Sequence, residues 1–514
     1  MNGGRNMKKL LTLVLTLVIS MTSVVALNGC TGKDDEGVVI TFYHTMSATN
    51  LQPTLKTYID KFQKIYPGIK VKATQEGGYD DVRDKVVKEL QSGKGPNIAY
   101  CYADHVALYN RALRVVDLTS YINSTEEVPA GKFGNKEAMP IGLTSTEIDD
   151  FIDAYYNEGS QYSLEGMYSL PFSKSTEVLY YNKTVFELKD KNFFIPTSWW
   201  CSKEGHAIDP VDNCETCQGT MALLCQRLKA WDPNCIPLGY DSDANLFITM
   251  CEQLGLPYTS AAKGQEHYLF NTDAHKEFVK ILNAWKNKNW LTTQKLYGAY
   301  TSGLFIEGAE FSTDPTATKG DGQSYQRSYM SVGSSAGASH QAPKLINKKA
   351  PFEVGIVSIP QANANKPKVI SQGPSVCILK NATKDQILAS WLLIKYLTTS
   401  AEFQADFSIA SGYVPVIESA INDPAFQEHL AGKSYDTNGI TALSAYVCWQ
   451  QDSYYFTSPA FEGSSEARSQ AEALLAATLA LKPVGEDYTQ AQYDADLNKY
   501  FEDAINKCKS AFNK

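Results

Sequence analysis

The sequence lacks both an excess of positive charge and the short motifs that identify several common enzyme classes. Its 47 lysines and arginines are outnumbered by 56 aspartates and glutamates, which gives a formal net charge of -9. Without a basic stripe to displace counterions, a nucleic-acid partner is not expected. The chain has no G-x-x-x-x-G-K-[ST], no H-E-x-x-H and no EF-hand pattern, so the nucleotide, zinc-protease and calcium chemistry of those motifs is not predicted.

Long apolar runs are scarce beyond the N-terminus, where one occurs in a characteristic setting. Positive charges at Arg5, Lys8 and Lys9 precede "LLTLVLTLVIS", and the small residues of "ALNGC" follow. This order is typical of a secretory signal peptide, here residues 1–29. "LNGC" resembles a bacterial lipobox, in which Cys30 would be lipidated and followed by a polar tether over 30–37; an uncleaved signal-anchor is the alternative. No later segment approaches the roughly 18 apolar residues of a membrane span.

Chain length and periodicity predict an α/β protein with two lobes. About 480 residues remain after cleavage, which is too many for one ordinary hydrophobic core. "VVITFY", "IKVKAT" and "PNIAYCY" read as strands, and amphipathic helices with apolar residues three and four positions apart separate them. Such alternation favours mostly parallel sheets flanked by helices.

Cysteines are numerous and cluster in one segment. Apart from Cys30 there are ten, and the densest group combines Cys201, His206, Cys214 and Cys217 in a Cys-rich insert over about 201–235. These residues could bind zinc, form local disulfides or stay as buried free thiols. None of the three readings makes the cluster catalytic.

A serine in "MSVGSSAG" fits the G-x-S-x-G pattern of a hydrolase nucleophile. For Ser335 to act so, an acid and then a histidine should follow in chain order. His340 is too close in sequence, which leaves His429, with Asp423 as an available acid. His429 lies in a stretch with no other mark of a site, so a serine hydrolase remains only an alternative.

Seven segments in order give the chain a family resemblance. They are "ITFYHTMS", "FQKIYPGIKVKAT", "GKGPNIAY", "LPFSKSTEVLYYNKTVFE", "IPTSWW", "LFIEGAEF" and "ASWLLIKYLTTSAEFQADFSIASGYVPV". Together they resemble family 1 of the extracellular solute-binding proteins of ABC importers, which includes maltose-binding proteins, and look closest to its glycerol-3-phosphate-binding branch. The resemblance implies a type II periplasmic-binding-protein fold with crossovers near 172 and 373. Lobe 1 would comprise 38–172 plus 330–372, and lobe 2 would comprise 173–329 plus 373–514.

The same resemblance implies a set of ligand-binding residues in the cleft between the lobes. These are Tyr43, His44, Tyr79, Asp104, Ser175, Ser334, Ser335, Gly373, Tyr413 and Arg468. The branch pattern has the acid directly after the aromatic residue, whereas Ala103 separates Tyr102 from Asp104 here. The residue types suit a phosphate or polyol, because arginine supplies a charged fork, small-residue loops supply N–H and hydroxyl donors, and tyrosines supply apolar faces.

The sequence therefore predicts a receptor and not an enzyme, without a cofactor. It would be a monomer, lipid-anchored on the extracytoplasmic face of a bacterial membrane, handing a small polar ligand to an ABC permease with a separate ATPase. Glycerol 3-phosphate or a related phosphate is the expected ligand, and an oligosaccharide is the alternative. A sensor module using the same cleft is the remaining reading.

Overall fold

The computed structural model describes residues 37–49, 51–262, 264–431 and 437–512. The predicted signal peptide, the lipidation site at Cys30 and most of the tether lie outside these residues. Within them, no helix combines the length and apolarity needed to cross a membrane.

The described residues form short strands that belong to two five-stranded sheets and two small two-stranded ones. The strands are β1 (Val38–His44), β2 (Ile69–Gln75), β3 (Ile98–Cys101), β4 (Glu127–Val128), β5 (Met139–Pro140), β6 (Leu170–Pro171), β7 (Glu177–Asn182), β8 (Leu238–Tyr240), β9 (Leu291–Thr293), β10 (Met330–Ser334), β11 (Val354–Ser358), β12 (Val369–Ile370), β13 (Ser375–Ile378) and β14 (Tyr455–Phe456).

Helices cover both faces of the two large sheets. They are α1 (Leu51–Ile65), α2 (Tyr79–Gln91), α3 (Ala103–Arg111), α4 (Thr119–Ile122), α5 (Ser145–Asp149), α6 (Asp153–Glu158), α7 (Lys183–Phe186), α8 (Met221–Trp231), α9 (Asp243–Gln253), α10 (Asp273–Asn287), α11 (Gln294–Tyr297), α12 (Ser302–Phe305), α13 (Lys384–Thr399), α14 (Ala401–Ser411), α15 (Glu418–Ile421), α16 (Pro424–Ala431), α17 (Thr437–Trp449), α18 (Ser464–Leu479) and α19 (Gln490–Phe512).

The first large sheet has the strand order β2-β1-β3-β13-β6. Strand β1 runs parallel to β2 and β3, whereas β13 runs antiparallel to β3 and β6. The apolar stripe of α1, with Leu55, Ile59 and Phe62, packs on one face together with α13 and α14. Helices α2 and α3 cover the other face through residues such as Val86 and Val106. This sheet and its helices form the first lobe.

The second large sheet has the order β11-β7-β10-β8-β9. Strands β8, β9 and β10 are parallel neighbours, and β7 pairs antiparallel with β10 and β11. Helices α8, α9, α10, α18 and α19 enclose the larger core on one face, and α17 packs on the other. This sheet and its helices form the second lobe.

The sheet pairing corrects three expectations from the sequence. The sheets are mixed, not mostly parallel, because chain segments that leave one lobe lie beside segments that return to it, as β6 does beside β13. The lobe assignment of 330–372 was also wrong, since β10 and β11 pair with β7 of the second sheet. The start of the 373–514 segment was assigned to the wrong lobe too, because β13 pairs with β3 and β6 of the first sheet.

Three crossover segments lie side by side between the lobes. Lys174 bridges to Val414, and Ser175 bridges to Gln372. Gly373 has a φ of +111°, and a Cβ there would lie 2.7 Å from the carbonyl oxygen of Ser173. Only glycine allows the crossover backbones to approach this closely.

The Cys-rich insert is irregular over residues 201–220, which we call the Cys-His loop, and continues into α8. Its only regular element is a single 3-10 turn over Glu215–Cys217. Trp285 of α10 donates a hydrogen bond of 2.7 Å to the carbonyl oxygen of Ala207 and so ties the loop to the second lobe.

Candidate ligand-binding site

A cleft lies between elements of the two lobes. The first lobe contributes the start of α3, with Tyr102 and Asp104, and Glu158 at the end of α6. The second lobe contributes α9, the segment around Tyr258 and the first turns of α18 with Arg468. The crossover at 370–373 forms part of the wall. A molecule bound here would therefore touch both lobes.

Arg468 is a positively charged residue that lines the cleft. It lies one turn into α18, is half-buried, and donates a hydrogen bond to the side-chain oxygen of Asn245. Among the residues that the structure describes, no carboxylate lies within 4.0 Å of its guanidinium, although a guanidinium offers five N–H donors. The charge is therefore available to a ligand.

A short chain of hydrogen bonds connects Arg468 to the crossover. The side-chain nitrogen of Asn245 donates to the side-chain oxygen of Gln372 at 3.1 Å. The backbone of Gln372 exchanges hydrogen bonds of 2.7 and 2.9 Å with Ser175. The orientation of the guanidinium is thus coupled to the segments that join the lobes.

Buried Glu177 lies behind this chain at the start of β7. Its Oε2 accepts a hydrogen bond of 2.5 Å from the Tyr240 hydroxyl. Burial raises the pKa of Glu177 to about 7, although the hydrogen bonds from Tyr240 and Asn245 and the charge of Arg468 oppose the rise. The carboxyl group therefore titrates near neutrality in the folded protein.

Tyrosine rings form the wall of the first lobe. The ring centroids of Tyr79 and Tyr102 are 4.3 Å apart, and the hydroxyls of Tyr79 and Tyr413 share a hydrogen bond of 2.8 Å. Tyr102 itself lines the cleft, and burial raises its pKa well above the usual range, so the phenol stays neutral. Tyr79 and Tyr413 support this wall from behind and do not line the cleft.

Asp104 is the acidic group at the rim of this wall. Its side chain is 18% exposed, and the nearest basic atom is Nε2 of His105 at 3.9 Å. Burial lowers the pKa of His105, which keeps that ring neutral at pH 7. Asp104 is thus an acceptor available to ligand hydroxyls.

Four hydroxyl groups that line the cleft have no hydrogen-bond partner within the described residues. They belong to Tyr258, Thr259, Ser371 and Ser458, and their oxygens are buried. Unpaired buried polar atoms are uncommon in folded proteins, and a bound ligand or water accounts for them best. The sequence did not point to Tyr258, Thr259 or Ser458, because isolated hydroxyl residues on loops carry no pattern.

A buried ion pair lies beside the cleft. The ammonium group of Lys174 is fully buried and donates to the Glu158 carboxylate, which lines the cleft. It also donates to the carbonyl oxygen of Gly373 and the hydroxyl of Ser375, both at 3.1 Å. The pair holds the crossover against α6, a role that the sequence did not reveal.

Several predicted contacts lie away from this cleft. The Tyr43 hydroxyl donates to Glu89 at 3.2 Å, and Nδ1 of His44 accepts from the backbone N–H of Met46 at 3.1 Å. Burial lowers the pKa of His44 to about 4. Ser175 is enclosed in the crossover, where it pairs with Gln372. Of the ten predicted residues, the structure brings Asp104, Gly373 and Arg468 into the cleft lining.

The serine-rich loop also lies outside the cleft lining. The Ser334 side chain caps the following 3-10 turn by accepting from the N–H of Ala336 at 3.2 Å. Ser335 is fully buried, and its carbonyl oxygen lies so near Gly412 that a Cβ there would be 2.3 Å away. His340, by contrast, is exposed, and no described histidine is hydrogen-bonded to Ser335. The loop therefore does not form a Ser-His-Asp arrangement.

The metal candidates of the sequence also lie outside the cleft lining. Cys201, His206, Cys214 and Cys217 converge inside the Cys-His loop. All ten cysteines in the described part of the chain are buried and none is in a disulfide, so the predicted alternative of local disulfides is not what the structure has.

The sequence pattern of one protein family matches most of the chain. The family described as "Bacterial extracellular solute-binding protein" matches residues 57–432. No curated protein sequence matches the chain.

Solved structures of binding proteins share the fold over nearly the full length of both chains. UgpB from Mycobacterium tuberculosis, in complex with glycerophosphocholine, is 16% identical, with a TM-score of 0.62 and coverage of 92% of this chain and 98% of that one. A cyclic alpha-maltosyl-1,6-maltose binding protein from Arthrobacter globiformis is 16% identical, with a TM-score of 0.62 and coverage of 93% and 99%. Maltose-bound MalE3 from T. maritima is 13% identical, with a TM-score of 0.62 and coverage of 92% and 100%.

These similarities confirm the two-lobed periplasmic-binding-protein fold that the sequence predicted. At such low identities they establish the fold alone. The family match covers well over half of the chain. The protein therefore belongs to the family of bacterial extracellular solute-binding proteins.

Proposed function

We propose that the protein is a lipid-anchored receptor that captures a small polar ligand in the cleft and delivers it to the permease of an ABC importer. Family membership supports an extracytoplasmic location. The charged and apolar leader that ends in "LNGC" supports attachment through Cys30. The ATPase would be a separate chain, and the receptor itself would be a monomer without catalytic activity.

The ligand that we propose is glycerol 3-phosphate or a related phosphate ester of a polyol. The observation that carries this choice is the Arg468 guanidinium, which has no carboxylate partner among the described residues. A buried or half-buried arginine favours an anion, such as a phosphate, whose oxygens accept two parallel hydrogen bonds, and such charge-assisted bonds are about twice as strong as neutral ones.

Two helix N-termini at the cleft add to the preference for an anion. Tyr102 before α3 and Gly463 before α18 make no side-chain cap hydrogen bond. First-turn N–H groups have no acceptor inside their own helix, and the helix dipole favours negative charge there. The hydroxyls of Ser371 and Ser458 and the carboxylate of Asp104 would serve the polyol end of the ligand.

An oligosaccharide is the second candidate, and a specific observation favours it as well. Tyr102 and Tyr258 line opposite sides of the cleft with aromatic rings, which suits the apolar faces of sugars. Of the proteins that share the fold, MalE3 from T. maritima has been solved with maltose bound. The protein from Arthrobacter globiformis is described as a cyclic alpha-maltosyl-1,6-maltose binding protein. A neutral sugar, however, has no negative charge that would pair with the guanidinium of Arg468.

Ligand transfer would depend on closure of the lobes. A ligand that touches Asp104 from one lobe and Arg468 from the other binds more tightly to the closed form, so it shifts the hinge equilibrium towards closure. Moving a mostly open receptor to near-complete closure takes about 5.5 kcal/mol of differential binding energy. The closed form would then dock onto the permease.

A thermal-shift screen of the soluble body tests this function. The panel comprises glycerol phosphates, glycerophosphodiesters and maltooligosaccharides, because a ligand at 100 times its Kd adds about 2.7 kcal/mol to stability. We expect phosphates to raise the melting temperature and to be recovered unchanged. A shift with maltooligosaccharides alone contradicts the ligand assignment, and hydrolysis of any of these compounds contradicts the receptor assignment. A permease gene beside this one distinguishes an importer component from a sensor module.

A further inference from the structure

The Cys-His loop contains a cluster of metal-binding side chains that the ligand cleft does not use. Cys201, His206, Cys214 and Cys217 contribute three sulfur atoms and one ring nitrogen, and these atoms all lie within 4.8 Å of one another. The three cysteines are buried, and Leu223 and Phe194 are the apolar side chains that pack against them within the described residues. The cluster therefore occupies the interior of the loop.

The distances within the cluster fit a single tetrahedral ion. Zinc binds sulfur at about 2.3 Å and nitrogen at about 2.0–2.1 Å, which holds tetrahedral ligand atoms about 3.5–3.8 Å apart. Nδ1 of His206 lies 3.8 Å from Sγ of Cys201 and 3.3 Å from Sγ of Cys217. Two of the six distances between ligand atoms are thus close to those of a tetrahedral zinc site, and the other four are at most 4.8 Å.

Hydrogen-bond donors surround the sulfur atoms. The Thr216 hydroxyl lies 3.1 Å from Sγ of Cys201 and 3.2 Å from Sγ of Cys214. The backbone N–H of Lys203 donates to Sγ of Cys201 at 3.4 Å. Donors of this kind orient the ligands of metal sites and balance the excess negative charge of thiolates.

The loop also has a structural need for a metal. Residues 201–220 contain one 3-10 turn and no strand or longer helix. Irregular segments of this length inside a compact domain are uncommon unless something else orders them. A tightly bound ion cross-links both ends of the loop without a large apolar core.

We propose that these four residues bind one structural zinc ion. The protein supplies all four ligands, which is typical of structural zinc sites and leaves no open position for chemistry. Sulfur and imidazole ligands in tetrahedral geometry select zinc over magnesium, calcium or manganese. On binding, the three thiols lose their protons to solvent and the histidine coordinates as the neutral ring, so metal binding weakens as the pH falls. The ion orders the loop and takes no part in ligand recognition.

The test is the zinc content of the soluble body, purified under reducing conditions with zinc supplied and then freed of loosely bound metal. We expect inductively coupled plasma mass spectrometry to find about one zinc ion per chain. Cys214→Ser and His206→Asn should each lower this content at least about tenfold. Cys225→Ser is the matched control, because Cys225 is a buried cysteine on α8 outside the cluster, and it should retain full occupancy.

Two measurements on the unchanged protein keep the proposal testable if the variants misfold. Replacement of zinc by cobalt should give the absorption bands of a tetrahedral cobalt-thiolate complex. Chelation should accelerate tryptic cleavage after the exposed Lys203 at least about tenfold, because the loop loses its cross-link. Less than about 0.1 zinc per chain, iron in place of zinc, or a Cys214–Cys217 disulfide in the zinc-supplied protein would each overturn the proposal.

Discussion

The guanidinium of Arg468 donates a hydrogen bond to the side-chain oxygen of Asn245. This contact holds the arginine in the cleft, and most of its five N–H donors have no partner in the described part of the chain. Because hydrogen bonds to charged groups contribute about 1.5–3 kcal/mol each, Arg468→Gln should weaken phosphate binding about 10- to 100-fold. Calorimetric titration measures the change. Arg114→Gln removes an exposed arginine that does not line the cleft and should leave the affinity unchanged.

Two serines distinguish the cleft from the serine-rich loop "MSVGSSAG" as the place where the ligand binds. Ser371 lines the cleft with an unpaired hydroxyl, whereas Ser335 is fully buried and does not line it. We expect Ser371→Ala to weaken ligand binding about two- to tenfold, the usual effect of one neutral hydrogen bond. Ser335→Ala should leave the Kd unchanged. A loss of affinity in Ser335→Ala alone would place the ligand elsewhere.

An ion pair at the edge of the cleft joins the lobes. Arg111 at the end of α3 lies 2.8 Å from Glu462 just before α18, and both side chains are partly exposed, at 51% and 30%. Exposed pairs contribute roughly 0–1 kcal/mol, so Arg111→Ala should raise the ligand Kd by no more than about fivefold. Small-angle scattering should show a larger mean radius of gyration for the ligand-free variant. An unchanged radius would mean that the pair does not bias closure.

The buried pair of Lys174 and Glu158 is expected to matter far more for stability. Lys174→Met leaves a buried carboxylate without its partner, and breaking a buried pair from one side costs about 3–5 kcal/mol. The melting temperature should fall sharply in this variant. Adding Glu158→Gln removes the unpaired charge and should restore much of the loss. If the double variant melts no higher than the single one, the charge of Glu158 is not the cause.

Glu177 should make stability depend on pH near neutrality. Its pKa is raised to about 7 in the folded protein, so the folded state holds a proton that the unfolded state has lost above about 4.5. The stability it provides is therefore complete below about pH 4.5 and is lost as the pH rises to about 7. At about pH 4.5, Glu177→Gln should have the same melting temperature as the original chain. At about pH 8 it should melt at a higher temperature, because its free energy of unfolding is larger by up to about 3 kcal/mol. Equal melting at both pH values would contradict the raised pKa.

Sequence periodicity and segment order predicted the fold class well. The spacing of Leu55, Ile59 and Phe62 predicted α1, and these side chains are buried in the first lobe. Ile65 continues the same spacing but is 37% exposed, because the helix ends there. Local patterns determine helices and strands, but the partner of each strand depends on contacts between distant segments. The lobe assignments of β10 and β13 were wrong for this reason.

The candidate site was predictable only where a residue type carries its own chemistry. Arg468 and Asp104 stand out as charged groups in recognisable segments, and the structure has both in the cleft lining. Tyr258 and Ser458 lie on irregular segments whose approach to the cleft is set by tertiary packing. Lys174 lies beside Ser175 in "FSKST", and only the structure reveals its burial and its pairing with Glu158.

We propose that the cleft recognises an anionic group through Arg468. The most direct measurement compares the Kd values of glycerol 3-phosphate and glycerol for the soluble body, since the two ligands differ only in the phosphate. We predict that the phosphate ester binds at least about 100-fold more tightly, as two or more charge-assisted hydrogen bonds require. Equal affinities for the two compounds, or tighter binding of maltotriose than of glycerol 3-phosphate, would contradict the claim.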